Sequence, residues 1–402
     1  MKRHPLIGRL SGDGGGGASL STTAGRVRLL AVGAALGATL MACQLLVGAG
    51  DEEGSPPPSQ VPAPGPEAGD AAPVDLCQHV VPPPPSLAPD GADGPPIWFA
   101  VSSLEGLPRV DARPFGLDQD GLCTGFLGAT DQDGGAPCLR AVVDDRGGID
   151  NAAARMFVAL PDGGGIQLFR GFTRSLRLGE RTLLIGLSRY NGAADDPAVE
   201  VRFATSGALE TNACDLGDAG DAGDGGGGPR SEGCDTWSRA RAAAGGDPDA
   251  GGPETLLEGY VVGGRLVAGT RRPSTLTLDV LDVSLSVLHA RFVATLTERS
   301  VAGRRVRSLD GVVAGRLSPS ALLEELGREP GLCTTATMRS LRAAVCDYRD
   351  IPSAPEDDRA PGKACSSVSI GLALVASEAL LGAEVAARPV GVACDAGETT
   401  CD

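Results

Sequence analysis

Aromatic side chains make up only 3% of this chain, lysine occurs twice and histidine three times. Each shortage closes off a class of function. Sugar recognition by ring stacking wants exposed aromatics, and few are available for it. Beyond the N-terminal segment the histidines are His79, at the edge of a proline tract, and His289, on the same expected strand face as Arg291. Both read as solvated or edge histidines, not as general bases. No Gly-x-Ser-x-Gly elbow and no Ser-x-x-Lys occurs, so acyl transfer of those kinds has no nucleophile. No two cysteines stand in Cys-x-x-Cys spacing, which removes the usual zinc and dithiol redox sites. The glycine run Gly225 to Gly228 is flanked by aspartates and cannot cradle a phosphate. The expectation is a protein without enzymatic function and, calcium apart, without a cofactor.

What the chain does carry begins with Arg26 and Arg28, an apolar run from Leu29, and the ending Leu40-Met41-Ala42-Cys43. That order is the one an export signal needs. It resembles the lipobox of bacterial lipoproteins, and the resemblance implies that the Cys43 thiol is acylated and becomes the mature N-terminus. Two or more acyl chains, at about 0.8 kcal/mol per buried CH₂, give a stable membrane anchor. Gln44 is not the aspartate that retains enterobacterial lipoproteins in the inner membrane, so the same resemblance implies the outer membrane. An uncleaved signal-anchor helix over Leu29 to Gly50 is the competing reading. Both readings export the rest of the chain.

The formal net charge is −16. Loss of residues 1–42 removes Lys2, Arg3, Arg9, Arg26 and Arg28 against Asp13, leaving −20. So acidic a surface repels phosphate backbones, and nucleic acid is excluded as a partner. Eleven cysteines in an exported chain imply disulfides. With Cys43 acylated an even ten remain, enough for five bridges. Short loops favour Cys123 with Cys138 and Cys214 with Cys234, and Cys346 is expected to pair with Cys365.

Composition divides the chain into a signal peptide (1–42), a lipidated Pro/Gly-rich tether (43–96), a β-rich half (97–213), an acidic Gly/Asp-rich disordered insertion (214–253) and a second β-rich half (254–402). In the first half Ile97 to Val101, Ile166 to Phe172, Arg181 to Leu187 and Val199 to Ala204 read as strands, with a short helix at Asn151 to Leu160. In the second, Gly263-Gly264 turns a hairpin, Leu276 to Leu296 alternates with phase slips that mark bulges or turns, and Val368 to Val375 is the last strand. Ser318-Pro319 caps a short helix closed by Gly327, and Met338, Leu341, Val345 and Tyr348 share one face of another. The fold class expected is therefore mainly β: a β-sandwich-like body with two short α-helices in the C-terminal third.

One constellation could bind a ligand. Asp118-Gln119-Asp120-Gly121 recurs as Asp131-Gln132-Asp133-Gly134, with Asp144, Asp145 and Asp150 close behind. A hard cation such as calcium takes six to eight oxygens, and Asp-x-Asp-Gly points two carboxylates at one centre while glycine turns the backbone. Asp118, Asp120, Asp131, Asp133 and Asp150 are the candidate calcium ligands. Plain Asx-turn chemistry uses the same residues.

Gly116 to Cys123, Gly147 to Ala152, Tyr190 to Asp196 and Cys365 to Gly371 resemble recurring segments of uncharacterised predicted lipoproteins of myxobacteria. The resemblance implies a secreted, disulfide-containing surface protein and transfers no activity. The reading that follows is a lipid-anchored cell-envelope protein of structural or binding role. Its expected partners are the membrane, through the lipid, and an envelope polysaccharide or protein. The alternative is a calcium-assisted polysaccharide- or glycan-binding module.

Overall fold

Apolar alternation sets most of the local structure. In β3 (Asp196–Thr211), Val199, Val201 and Phe203 are buried while Arg202 is exposed, the period of two that places one face of a strand against a core. The computed structural model describes residues 81–86, 92–106, 115–122, 144–145, 148–160, 164–212, 228–241, 254–272, 274–280, 283–301, 303–328, 335–358, 360, 362–386 and 400–401. Strands β1 (Ile97–Glu105), β2 (Leu183–Ser188), β3, β5 (Glu254–Val262), β6 (Arg265–Ala268), β8 (Val283–Val301), β9 (Arg304–Leu317) and β10 (Val368–Ala386) pair in that order, each antiparallel to the next. β10 then pairs back onto β1, from Trp98 opposite Ala379 to Glu105 opposite Ala373. The sheet is closed, so these eight strands form a barrel-like ring.

Two short strands complete the ten-stranded sheet. β4 (Thr236–Arg241) runs antiparallel to the end of β3 and parallel to the end of β10. β7 (Leu276–Val280) pairs with the first residues of β8. The β-dominated body expected from the sequence is present. The pairings β3–β5 and β1–β10 join the two sequence halves in one sheet. β4 lies inside the stretch expected to be a disordered insertion, so that expectation is corrected for residues 228–241; Trp237 is buried there against Leu184 and Ala379.

Phe203 on β3 and Phe292 on β8 meet edge to face with centroids 5.2 Å apart, although β5 and β6 separate their strands. That contact reaches across the ring. The same apolar face takes in residues from all four helices, α1 (Ala152–Ala159), α2 (Gly164–Leu178), α3 (Pro319–Leu326) and α4 (Thr335–Asp347). α1, α3 and α4 fall where the sequence put them, with Asn151 and Ser318 as N-caps. α2 is a correction: Ile166 to Phe172 is helical, not a strand. Phe169, Phe172 and Leu176 recur at helical spacing and are buried, while Phe157 of α1 packs on Phe169.

β9 carries no strand expectation because Gly311 and Gly315 dilute its pattern. The glycines are there for close approach: a Cβ at Gly311 would lie 2.5 Å from the Ala294 side chain. Gly263 and Gly264, at φ +56° and +76°, form the expected β5–β6 turn, in the left-handed region that two-residue hairpins require.

Cys346 pairs with Cys401, across a separation of 55 residues, which corrects the expected pairing with Cys365. Cys365 and Cys234 are themselves disulfide-bonded. Cys43, Cys123, Cys138 and Cys214 lie outside the described residues. Part of the expected tether is seated on the body: Val81 packs on the outer apolar cluster, the Tyr260 hydroxyl donates to the Pro82 carbonyl, and Gly94 N–H donates to Tyr190 O at 3.0 Å. Among the described residues no helix is long and apolar enough to cross a membrane. Phe292→Ala should cost about 3–5 kcal/mol, measured as a shift in denaturant midpoint, because the ring face it leaves cannot collapse without moving strands.

Candidate functional site

The acidic loop is seated by a glycine on the last strand. A Cβ at Gly371 would lie 2.8 Å from Gly116 Cα and 2.9 Å from Phe115 O, so only a bare backbone lets residues 115–122 lie on β10. Asn151 fastens the contact. Its Nδ2 donates to Phe115 O at 2.9 Å and Gly371 O at 3.2 Å, while its Oδ1 accepts from Gly371 N at 3.0 Å. Gln119 Nε2 adds donations to Asp150 O and Ile370 O. Leu117 then packs with Tyr260, Val267, Val293 and Ala314, on the face opposite the main core.

This seating gathers three of the five candidate ligands. Asp118, Asp120 and Asp150 are buried, and one carboxylate oxygen from each lies within 4.8 Å of the others. Backbone amides hold them: Gly121 N donates to Asp118 Oδ1 at 2.6 Å, Leu122 N to Asp120 Oδ1 at 2.8 Å, and Gln119 N to Asp150 Oδ2 at 2.6 Å. Gly121, at φ +72°, makes the turn. The loop makes Asx-turns and also clusters carboxylates. Asp131 and Asp133 lie outside the described residues. Oxygen-only donors at this spacing fit a hard cation such as calcium, with water completing its shell.

Burial pushes Asp120 up to about 7, with Asp118 adding to the rise and the Leu122 amide opposing it. Asp150 is raised well above the ordinary carboxylate range, first by burial and then by Asp120, Asp144 and Asp350. Asp350 is raised to about 6 by burial, although Ser369 donates to it through both its amide and its hydroxyl. Ser369 Oγ in turn accepts the first amide of α1, from Ala152, at 2.9 Å.

Two arginines lie beside these acids. Arg316, buried, makes a two-pronged pair with Asp358 at 2.7 and 2.5 Å and also donates to Pro352 O. Arg291 lies where the charges of Asp118, Asp358 and Asp150 reach it. Together with Gln119, His289 and Pro355 these arginines line a small cleft beside the acids. His289, at φ +50°, sits in the register shift between Leu288 and Arg291. Burial and Arg316 lower its pKa, so it is neutral at pH 7.

Asp350, Asp358 and Arg316 were not legible as site residues. Arg316 carries one signal, a charge between apolar Ala314 and Leu317, whereas Asp350 and Asp358 stand in charged stretches that carry none. No family model, curated protein or solved structure matches the chain.

Carboxyls raised in the folded state hold protons that the unfolded chain has released, so their stabilisation is complete below about pH 4 and is lost as pH rises through 6 to 7. In urea melts without added metal, wild type should therefore lose stability between pH 4 and 7 more steeply than Asp120→Asn. Parallel pH profiles would contradict this.

Proposed function

We propose that the chain is a lipid-anchored extracytoplasmic protein of the cell envelope, held at Cys43 and serving a structural or binding role without catalysis. The observation that carries this reading is the disulfide between Cys346 and Cys401. Disulfides persist in oxidising compartments, and a bridge closing so long a loop contributes about 4 kcal/mol in the chain-entropy account. The Leu40-Met41-Ala42-Cys43 ending supplies the export route and the anchor, and Gln44 favours the outer membrane. The resemblance to predicted myxobacterial lipoproteins points the same way. Mass spectrometry of the protein from its native cells should find a diacylated Cys43 at the mature N-terminus and the remaining cysteines oxidised. An unmodified residue 43 with free thiols elsewhere would overturn the reading.

A second reading, a calcium-assisted glycan-binding module, is favoured by the trio Asp118, Asp120 and Asp150. Three buried carboxylates repel one another when ionised, and a divalent cation relieves that repulsion by taking the place of their protons. On this reading, millimolar calcium raises the melting temperature at pH 7 and EDTA reverses the rise. Asp150→Asn abolishes the shift. An unchanged melt removes the cation, and with it the glycan reading.

A further inference from the structure

The outer face of α2 is cationic on an otherwise acidic protein. Phe169, Phe172 and Leu176 are buried, and Arg170, Arg174 and Arg177 are exposed. At about 100° per residue the three arginine positions fall within about 60° of one another, and Arg170 and Arg177 stand about 10 Å apart along the axis. Among the described residues none of the three forms an ion pair, and α2 contains no acidic residue. Several arginines elsewhere meet carboxylates: Arg155 meets Asp145, Arg272 meets Glu258, and Arg328 meets Glu324. Leu178, beside the strip, is 54% exposed.

We propose that this face of α2 docks on the anionic headgroups of the membrane that carries the Cys43 anchor. The proposal rests on the lipid-anchored reading for its membrane, and on charge complementarity for its surface. The chain that begins at Cys43, of net charge −20 after loss of residues 1–42, is repelled by anionic lipid over most of its surface, so an arginine strip without ion pairs and with an adjoining leucine selects the side that turns inward. In the sequence, 37 residues separate Cys43 from Val81. Acylation at Cys43 keeps the body near the bilayer but does not by itself set its orientation. Docking through α2 fixes it.

The test uses residues 43–402 with Cys43→Ser, so that no acyl chain contributes, sedimented with vesicles of phosphatidylglycerol and phosphatidylethanolamine. The protein should bind these vesicles, bind less as salt rises, and ignore vesicles of phosphatidylcholine alone. The triple variant R170Q/R174Q/R177Q should lose on the order of a hundredfold in partitioning with an unchanged melt, and the triple Arg→Lys variant should keep it. Failure of the parent to bind, or equal binding by the glutamine variant, overturns the proposal. So does binding that appears only after Asp215, Asp218, Asp221 and Asp224 are changed to Asn. That result would assign the strip to the chain's own acidic segment. Because the unlipidated protein is used, these outcomes are independent of whether Cys43 is acylated in cells.

Discussion

Closure of the sheet through β1 and β10 is the constraint on which the other features depend. Those strands are far apart in sequence, and their pairing from Trp98 opposite Ala379 to Glu105 opposite Ala373 turns an open antiparallel sheet into a ring. Closure removes the exposed edges that an open sheet must protect. It also gives the sheet an inner side, where Phe203 and Phe292 touch across intervening strands. β10 serves three neighbours: β9 along its first half, β1 in the middle and β4 at its end. Any loss of register there would be felt on both sides of the ring.

The same strand seats the acidic loop. Gly371 leaves room for Gly116, Asn151 ties the two backbones together, and Ser369 links Asp350 to the start of α1. The result is unusual in its charge. Asp118, Asp120 and Asp150 are concentrated where solvent is excluded, and Asp350 adds to the rise of Asp120 and Asp150, while Arg316 is committed to Asp358. Water cannot relieve the repulsion, so the carboxyls hold their protons to higher pH than exposed aspartates do. Proton binding neutralises those oxygens, which makes the loop sensitive to pH.

The exterior shows the opposite arrangement. Acidic charge dominates overall, several described arginines pair with neighbouring carboxylates, and α2 presents three exposed arginines that form no ion pair among the described residues. A fold built as a closed ring with helices packed on its inner apolar face leaves one helix surface free to present such a strip.

Strands with a clean period of two, such as Val199 to Phe203, are readable from the sequence, as are the capped helix after Ser318, the short helix at Asn151 to Leu160 and the Gly263-Gly264 turn. Each is fixed by neighbours in the chain. Ile166 to Phe172 reads as a strand because a short apolar run fits either period, and only the burial of Leu176 in step with Phe169 and Phe172 decides for helix. β9 was hidden because Gly311 and Gly315 answer to β8, a partner that the local sequence does not announce. The Asp-x-Asp-Gly loop was visible as a cluster of acids, and its glycine as a turn. Which acids are buried together, that Asp350 joins them electrostatically, and that Cys346 finds Cys401 were decided by sheet closure and loop seating. Those contacts join residues far apart in sequence, whereas capping, turning and alternation are set within a few residues.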